Sequence, residues 1–361
     1  MDDQTLTGAT NDSAVNAAAA PRSANSARKS IWLVVKWTLT VVVLAFVVVR
    51  AMSLWRENST EEVTLHWGWL ALAGLFYSLG WLPSVWYFRL LLARMGDQIS
   101  WPAAMRAYYC GHLGKYVPGK AMVPLIRGQM VAAAGGRFRA GALAVVYETL
   151  VMMGVGFEIS LAFFPFLIPE HLADQSALVQ RVLAFPPVMW LLDRPAVLPL
   201  ATLAAVVLTL PLVAWLFSYA AAWLAPRANG EELASRIDAG LIGRGALVFV
   251  VAWLIHGLAL WASLRGIGAD VSIMRLPTWT VCVALPMTAG FLAIFAPGGV
   301  GVREGVMIEI LKVQPGIDAR GAIAAAFLLR AVGFVAEVIV AIVLYYGLAS
   351  HARPRSSPDG E

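Results

Sequence analysis

The chain has 361 residues, of which 60% are hydrophobic and 14% charged, with a mean hydropathy of +0.72. Soluble domains carry about 25% charged residues, so an ordinary soluble domain is excluded and a membrane-embedded chain is implied. The formal charge of +5 does not point to nucleic acid, because Lys and Arg cluster at the ends of apolar runs. Positive-inside topology and anionic lipid account for them there.

In chain order, residues 1–30 are rich in Ala, Ser, Asn and Thr and end in Arg28-Lys29. They read as a solvated cytoplasmic tail. Residues 31–52 form the first apolar run, too long for a cleaved signal segment. A second run covers 66–95, with Pro83 as a kink. Residues 101–134 carry Arg106, Lys115, Lys120 and Arg127. Each central cation costs about 2.5–3.5 kcal/mol on insertion scales, so this stretch is expected to form a re-entrant or bundle-lining hairpin.

Further runs follow at 140–168, 195–225, 245–264 and 276–296. Residues 300–313 are too short to cross, and 318–348 form the last run. The expected fold is therefore an all-α polytopic membrane protein of seven to eight transmembrane helices with two re-entrant elements, near 101–134 and 297–313. One transmembrane domain spans 31–349, and a short polar tail covers 350–361. With the N-terminus cytoplasmic, inner segments hold nine Lys/Arg against five outside. That order leaves Arg353 and Arg355 outside unless one re-entrant element crosses.

Two interrupted stretches organise the chain. The first is Gly114-Lys115-Tyr116-Val117-Pro118-Gly119-Lys120, followed by Arg127. The second is Pro297-Gly298-Gly299-Val300-Gly301-Val302-Arg303-Glu304-Gly305. Pro removes a backbone donor and Gly relaxes the backbone, so helices break at Pro118, Gly119, Pro297, Gly298, Gly299 and Gly301. Broken backbone at membrane depth is tolerated where it is buried in protein or lines a wet cavity. One such break in each half points to a transporter-like site.

Lys115, Lys120, Arg127 and Arg303 suit a phosphate-bearing head group, since broken helices add free backbone donors and guanidinium binds phosphate through two bonds. Glu304 either orients Arg303, exchanges protons or forms a structural pair. Arg330 and Glu337 share a helical face and must find partners inside the bundle, with Glu148 or Glu304 as candidates for Arg330. His256 reads as a packed, hydrogen-bonded histidine. Cys110 and Cys282 build no disulfide or metal pattern, and no nucleotide fingerprint is present.

These motifs, with Glu148 between them and Arg330 after them, resemble the lysylphosphatidylglycerol synthase transmembrane-region family, also described as flippase-like. The resemblance covers roughly residues 31–348. It implies an integral plasma-membrane module, without cofactor, that moves anionic phospholipid or polyprenyl-phosphate head groups between leaflets. It singles out Glu148, although many relatives have Arg where Thr149 follows the acid. Relatives that aminoacylate phosphatidylglycerol carry a soluble transferase domain after this module. This chain continues only to Glu361, so that activity is not expected. Two other readings remain: a non-transporting partner of a glycosyltransferase or other envelope enzyme, and, less favoured, an integral membrane transferase.

Overall fold

A computed structural model describes residues 64–116, 122–167, 238–293 and 301–347, together with Gly299 and isolated positions at 49, 52 and between 185 and 219. The expected runs at 31–52 and 195–225 and both tails lie largely outside the described residues. Every regular element among the described residues is helical. Among the described residues, four stretches are long and apolar enough to cross a membrane: Trp67–Arg94, Phe138–Ala162, Ala239–Gly266 and Ala319–Gly347.

We number the α-helices α1 (Trp67–Gly80), α2 (Leu82–Arg94), α3 (Trp101–His112), α4 (Met122–Ala133), α5 (Phe138–Ala162), α6 (Ala239–Gly266), α7 (Leu276–Leu292), α8 (Val302–Leu311) and α9 (Ala319–Gly347). Local chemistry sets several of the boundaries. Trp81 separates α1 from α2, with Pro83 in the first turn of α2, where its missing donor costs nothing. The Ser100 hydroxyl accepts from the Ala103 N–H at the start of α3, and the Asp238 carboxylate accepts from the Leu241 N–H at 2.6 Å at the start of α6.

Ties between helix ends fix the direction of each long helix. Arg94 lies 3.5 Å from Asp238, joining the end of α2 to the start of α6. His66 N–H donates to Gly266 O at 2.8 Å, joining the start of α1 to the end of α6. At the Arg94 end, Arg137 bonds both oxygens of Asp97, and the Arg106 guanidinium covers the Tyr345 ring at the end of α9. At the opposite end, Thr278 donates to Phe166 O, and Gln314 donates to Leu167 O while accepting from Arg275.

These ties reveal two helical hairpins that return to the end they left. The first is α3 and α4, joined through a 3₁₀ turn at Leu113–Tyr116, and it opens from the Arg94 end. The second, α7 with α8, opens from the opposite end. A 12-residue helix such as α3 is about 18 Å long, against about 30 Å for a hydrocarbon core. The second hairpin corrects one expectation. Residues 276–296 read as a complete crossing, but α7 stops at Leu292 and α8 brings the chain back beside Arg275. Pro286 inside α7 and the Gly-rich stretch after it remove the helix from its sequence pattern early. The last helix then ends beside Arg106, at the same end as Arg94 and Arg137.

The described chain thus consists of two triplets with the same order: long helix, hairpin, long helix. The first is α1/α2, α3–α4, α5; the second is α6, α7–α8, α9. They run in opposite senses. Packing partners exchange accordingly, with the α3 side of the first hairpin against α9 and the α7 side of the second against α5. The two opening helices pack along each other, with Leu70 against Gly266 and Tyr77 against the His256 ring.

Candidate functional site

Residues of both hairpins, the middle of α5 and Trp81 converge on one cavity of about 380 Å³. The first hairpin contributes Tyr108, His112, Lys115 and Arg127; the second contributes Met287, Gly290, Phe291, Gly299 and Arg303. The α5 helix supplies Glu148, Thr149, Leu150 and Met153, and Trp81 closes one side. Lining residues of the two hairpins, 160 or more positions apart in sequence, therefore share one chamber.

Arg127 is only 2% exposed, and its neighbour Glu148 is 3% exposed. Their pair is direct, with Arg127 Nη1 donating to Glu148 Oε2 at 2.6 Å. Tyr108 donates to the other carboxylate oxygen at 2.5 Å, and its ring lies under the guanidinium at 3.6 Å. Two charges removed from water need such saturation, because an unpaired buried ion is strongly destabilising. A close approach makes the arrangement possible. A side chain at Gly111 would collide with Arg127 Cγ, since its Cβ would lie 2.3 Å away.

His112 links this pair to the next cluster. Arg127 Nη2 lies 3.3 Å from His112 Nδ1. A guanidinium nitrogen can only donate, so Nδ1 accepts and the imidazole is neutral, with its proton on Nε2. That Nε2 faces Glu337 Oε1 at 3.4 Å, within ionic range but without hydrogen-bond geometry. Glu337 itself is held by Lys115 at 2.5 Å, Tyr77 at 2.9 Å and Tyr116 at 3.0 Å. The first hairpin tip is thereby tied to the middle of α9. Behind it, His256 is buried; its Nδ1 faces Ala252 O at 2.7 Å and its ring packs against Trp81 and Tyr77. The packed-histidine expectation for His256 holds.

At the second tip, Gly301 adopts φ 87° and its N–H donates to Glu304 Oε2 at 2.7 Å. The other Glu304 oxygen pairs with Arg330 of α9. Of the two candidate partners for Arg330, the structure selects Glu304, and Glu148 belongs to Arg127. Gly299, at φ 68°, crosses Gly290 so closely that a Cβ would sit 2.8 Å from the Gly290 Cα. Left-handed backbone and this contact both demand glycine. Arg303 is half-buried on the cavity wall and makes no ion pair among the described residues.

Of the predicted site residues, Lys115, Arg127, Glu148, Gly299 and Arg303 line the cavity, while Glu304, Arg330 and Glu337 brace its wall from behind. Lys120, Pro118, Gly119, Pro297 and Gly298 lie outside the described residues. Sequence reasoning overlooked Tyr77, Trp81, Tyr108, His112 and Tyr116. Tyr108 and His112 stand four residues apart, hence on one face of α3, and Tyr116 lies inside the first motif. Those spacings held a signal. No group of His, Cys, Asp or Glu suited to a metal ion occurs among the described residues.

The lining combines the cations Lys115, Arg127 and Arg303 with the apolar side chains of Val123, Pro124, Leu150, Met153, Met287 and Phe291. Leu150, on the apolar part of the lining, is 39% exposed. Such a shape suits an amphiphile with a charged head and a greasy tail. A search of curated proteins finds no match to the chain. Residues 33–341 match the family described as Lysylphosphatidylglycerol synthase TM region, most of the chain, and the protein is a member of that membrane family.

Proposed function

We propose that this protein is a translocase that moves a lipid with a phosphate-bearing head group between leaflets of the plasma membrane. In this reading the two hairpins are re-entrant, one from each side, and meet near mid-depth. The head group enters the cationic chamber while its acyl or isoprenoid tail stays in lipid through the Leu150 side. The single observation that carries the reading is a cavity walled by both interrupted elements, with an Arg303 guanidinium that makes no ion pair among the described residues and an apolar part of the lining at Leu150.

The opposed triplets support it further. Transporters with inverted repeats place their sites where broken helices meet, and alternate access by exchanging the conformations of the halves. Arg94, Arg137 and Arg139 gather at one end, which positive-inside bias makes cytoplasmic. A non-transporting partner would be expected to display the basic elements on an outer interface without a chamber, which fits this geometry less well. Reconstitution in proteoliposomes with leaflet-resolved fluorescent lipids tests the proposal. Arg303→Ala should slow movement at least roughly tenfold, a barrier increase of about 1.4 kcal/mol, without altering the unfolding temperature. Equal rates in both proteins would remove the site.

A further inference from the structure

We propose that the chamber selects a head group with one negative charge and no amine, a phosphodiester of the phosphatidylglycerol kind, and discriminates against phosphomonoesters. This deepens the translocase reading and rests on it. Four cations stand in or against the cavity: Lys115, Arg127, Arg303 and Arg330. Three carboxylates answer them, Glu337 for Lys115, Glu148 for Arg127 and Glu304 for Arg330. His112 adds nothing, because Arg127 donates to its Nδ1. Among the described residues the balance is one positive charge, on Arg303.

A phosphodiester carries one negative charge. It therefore neutralises Arg303 and leaves every existing pair intact. A phosphomonoester carries about −1.5 to −2 at neutral pH, so it brings a second charge that must be met by breaking a pair or left bare in a low-dielectric chamber. An ethanolamine head group fails differently. Its phosphate suits Arg303, but its ammonium meets carboxylates that are all engaged. Volume is in keeping with this: about 380 Å³ holds a phosphoglycerol-sized head.

The test uses the full chain in proteoliposomes with fluorescent phosphatidylglycerol, phosphatidic acid and phosphatidylethanolamine of identical acyl chains, and a fluorescent polyprenyl monophosphate. Phosphatidylglycerol should cross at least tenfold faster than each of the others. The two monoesters separate charge from tail chemistry, since one shares the diacyl tail and one does not. Thr149→Lys, on the cavity wall, adds a second unanswered cation and should bring phosphatidic acid level with or ahead of phosphatidylglycerol. Arg303→Gln should erase the advantage of phosphatidylglycerol over phosphatidylethanolamine. Monoesters crossing as fast as phosphatidylglycerol in the unmodified protein would overturn the charge selection alone. No movement of any lipid would overturn the translocase reading, and this inference with it.

Discussion

The two halves solve one problem with opposite signs. In the first, the returning arm of the hairpin brings a cation, Arg127, to a carboxylate on the next long helix, Glu148. In the second, the returning arm brings a carboxylate, Glu304, to a cation on the next long helix, Arg330. Each pair locks a hairpin to the helix that follows it, yet their settings differ. Arg127 and Glu148 are almost wholly buried, whereas the Arg330 side chain is 29% exposed. Where the halves cross, the likeness ends. The first hairpin meets α9 through Lys115 and Glu337, while the corresponding crossing of α7 and α5 brings Thr288 against Gly156. The lesson is that matched pairs hold the frame, and Arg303, which no carboxylate among the described residues answers, gives the chamber its sign.

The strongest way to break this comparison is to strand one member of each pair. Glu148→Ala leaves Arg127 buried without its counter-charge and should cost about 3–5 kcal/mol. Arg330→Ala leaves Glu304 still bonded to the Gly301 N–H, and the site is reachable by water. Its cost should be nearer to about 1 kcal/mol, the scale of a partly exposed pair. Thermal unfolding of the purified protein in detergent reads both. Equal losses would mean that the halves are locked equally and that burial does not distinguish them.

Much of this was legible before any coordinates. Runs of apolar residues announced helices at 66–95, 140–168, 245–264 and 318–348, because length and hydropathy alone decide what can cross a bilayer. The two Pro-Gly stretches and the charges beside them also announced where the chain would fold back. Residues 276–296 misled, since hydropathy reports what a segment touches and not whether it turns. The return of the second hairpin depends on Gly299 lying against Gly290, a contact between backbones that no local pattern encodes. Pairings were equally hidden. Lys115 and Glu337 are 222 residues apart, and only the opposed packing of the halves makes them neighbours.

A smaller effect sharpens the crossing itself. Glu337→Gln releases Lys115 from the carboxylate that fixes the first hairpin tip on α9. Lys115 is 28% exposed, so it can hydrate when released, and the loss of stability should be well below that of Glu148→Ala. Transport should suffer more than folding. We expect movement of phosphatidylglycerol to fall roughly tenfold, about 1.4 kcal/mol in barrier, on protein whose unfolding temperature is little changed. A variant that loses stability as severely as Glu148→Ala while transporting normally when cold would make Glu337 a frame residue like Glu148.

The least effect belongs to the surface tie between the halves, and it separates two roles of one carboxylate. Asp238 faces Arg94 at 3.5 Å with both side chains largely in solvent, at 58% and 38% exposure. Its other oxygen accepts the Leu241 N–H at 2.6 Å and closes the first turn of α6. An exposed pair at that distance is worth about 0–0.5 kcal/mol, because water screens it and two side chains must be immobilised. An N-cap contributes about 1 kcal/mol, since the backbone donors of the first turn otherwise lack a partner. Arg94→Ala should therefore leave the unfolding temperature almost unmoved, and Asp238→Ala should lower it measurably. Asp238→Asn, which keeps a capping oxygen and discards the charge, should behave like Arg94→Ala. Were it to behave like Asp238→Ala, the ion pair would matter at this end after all, and the contrast between a screened surface and a charge-matched interior would weaken.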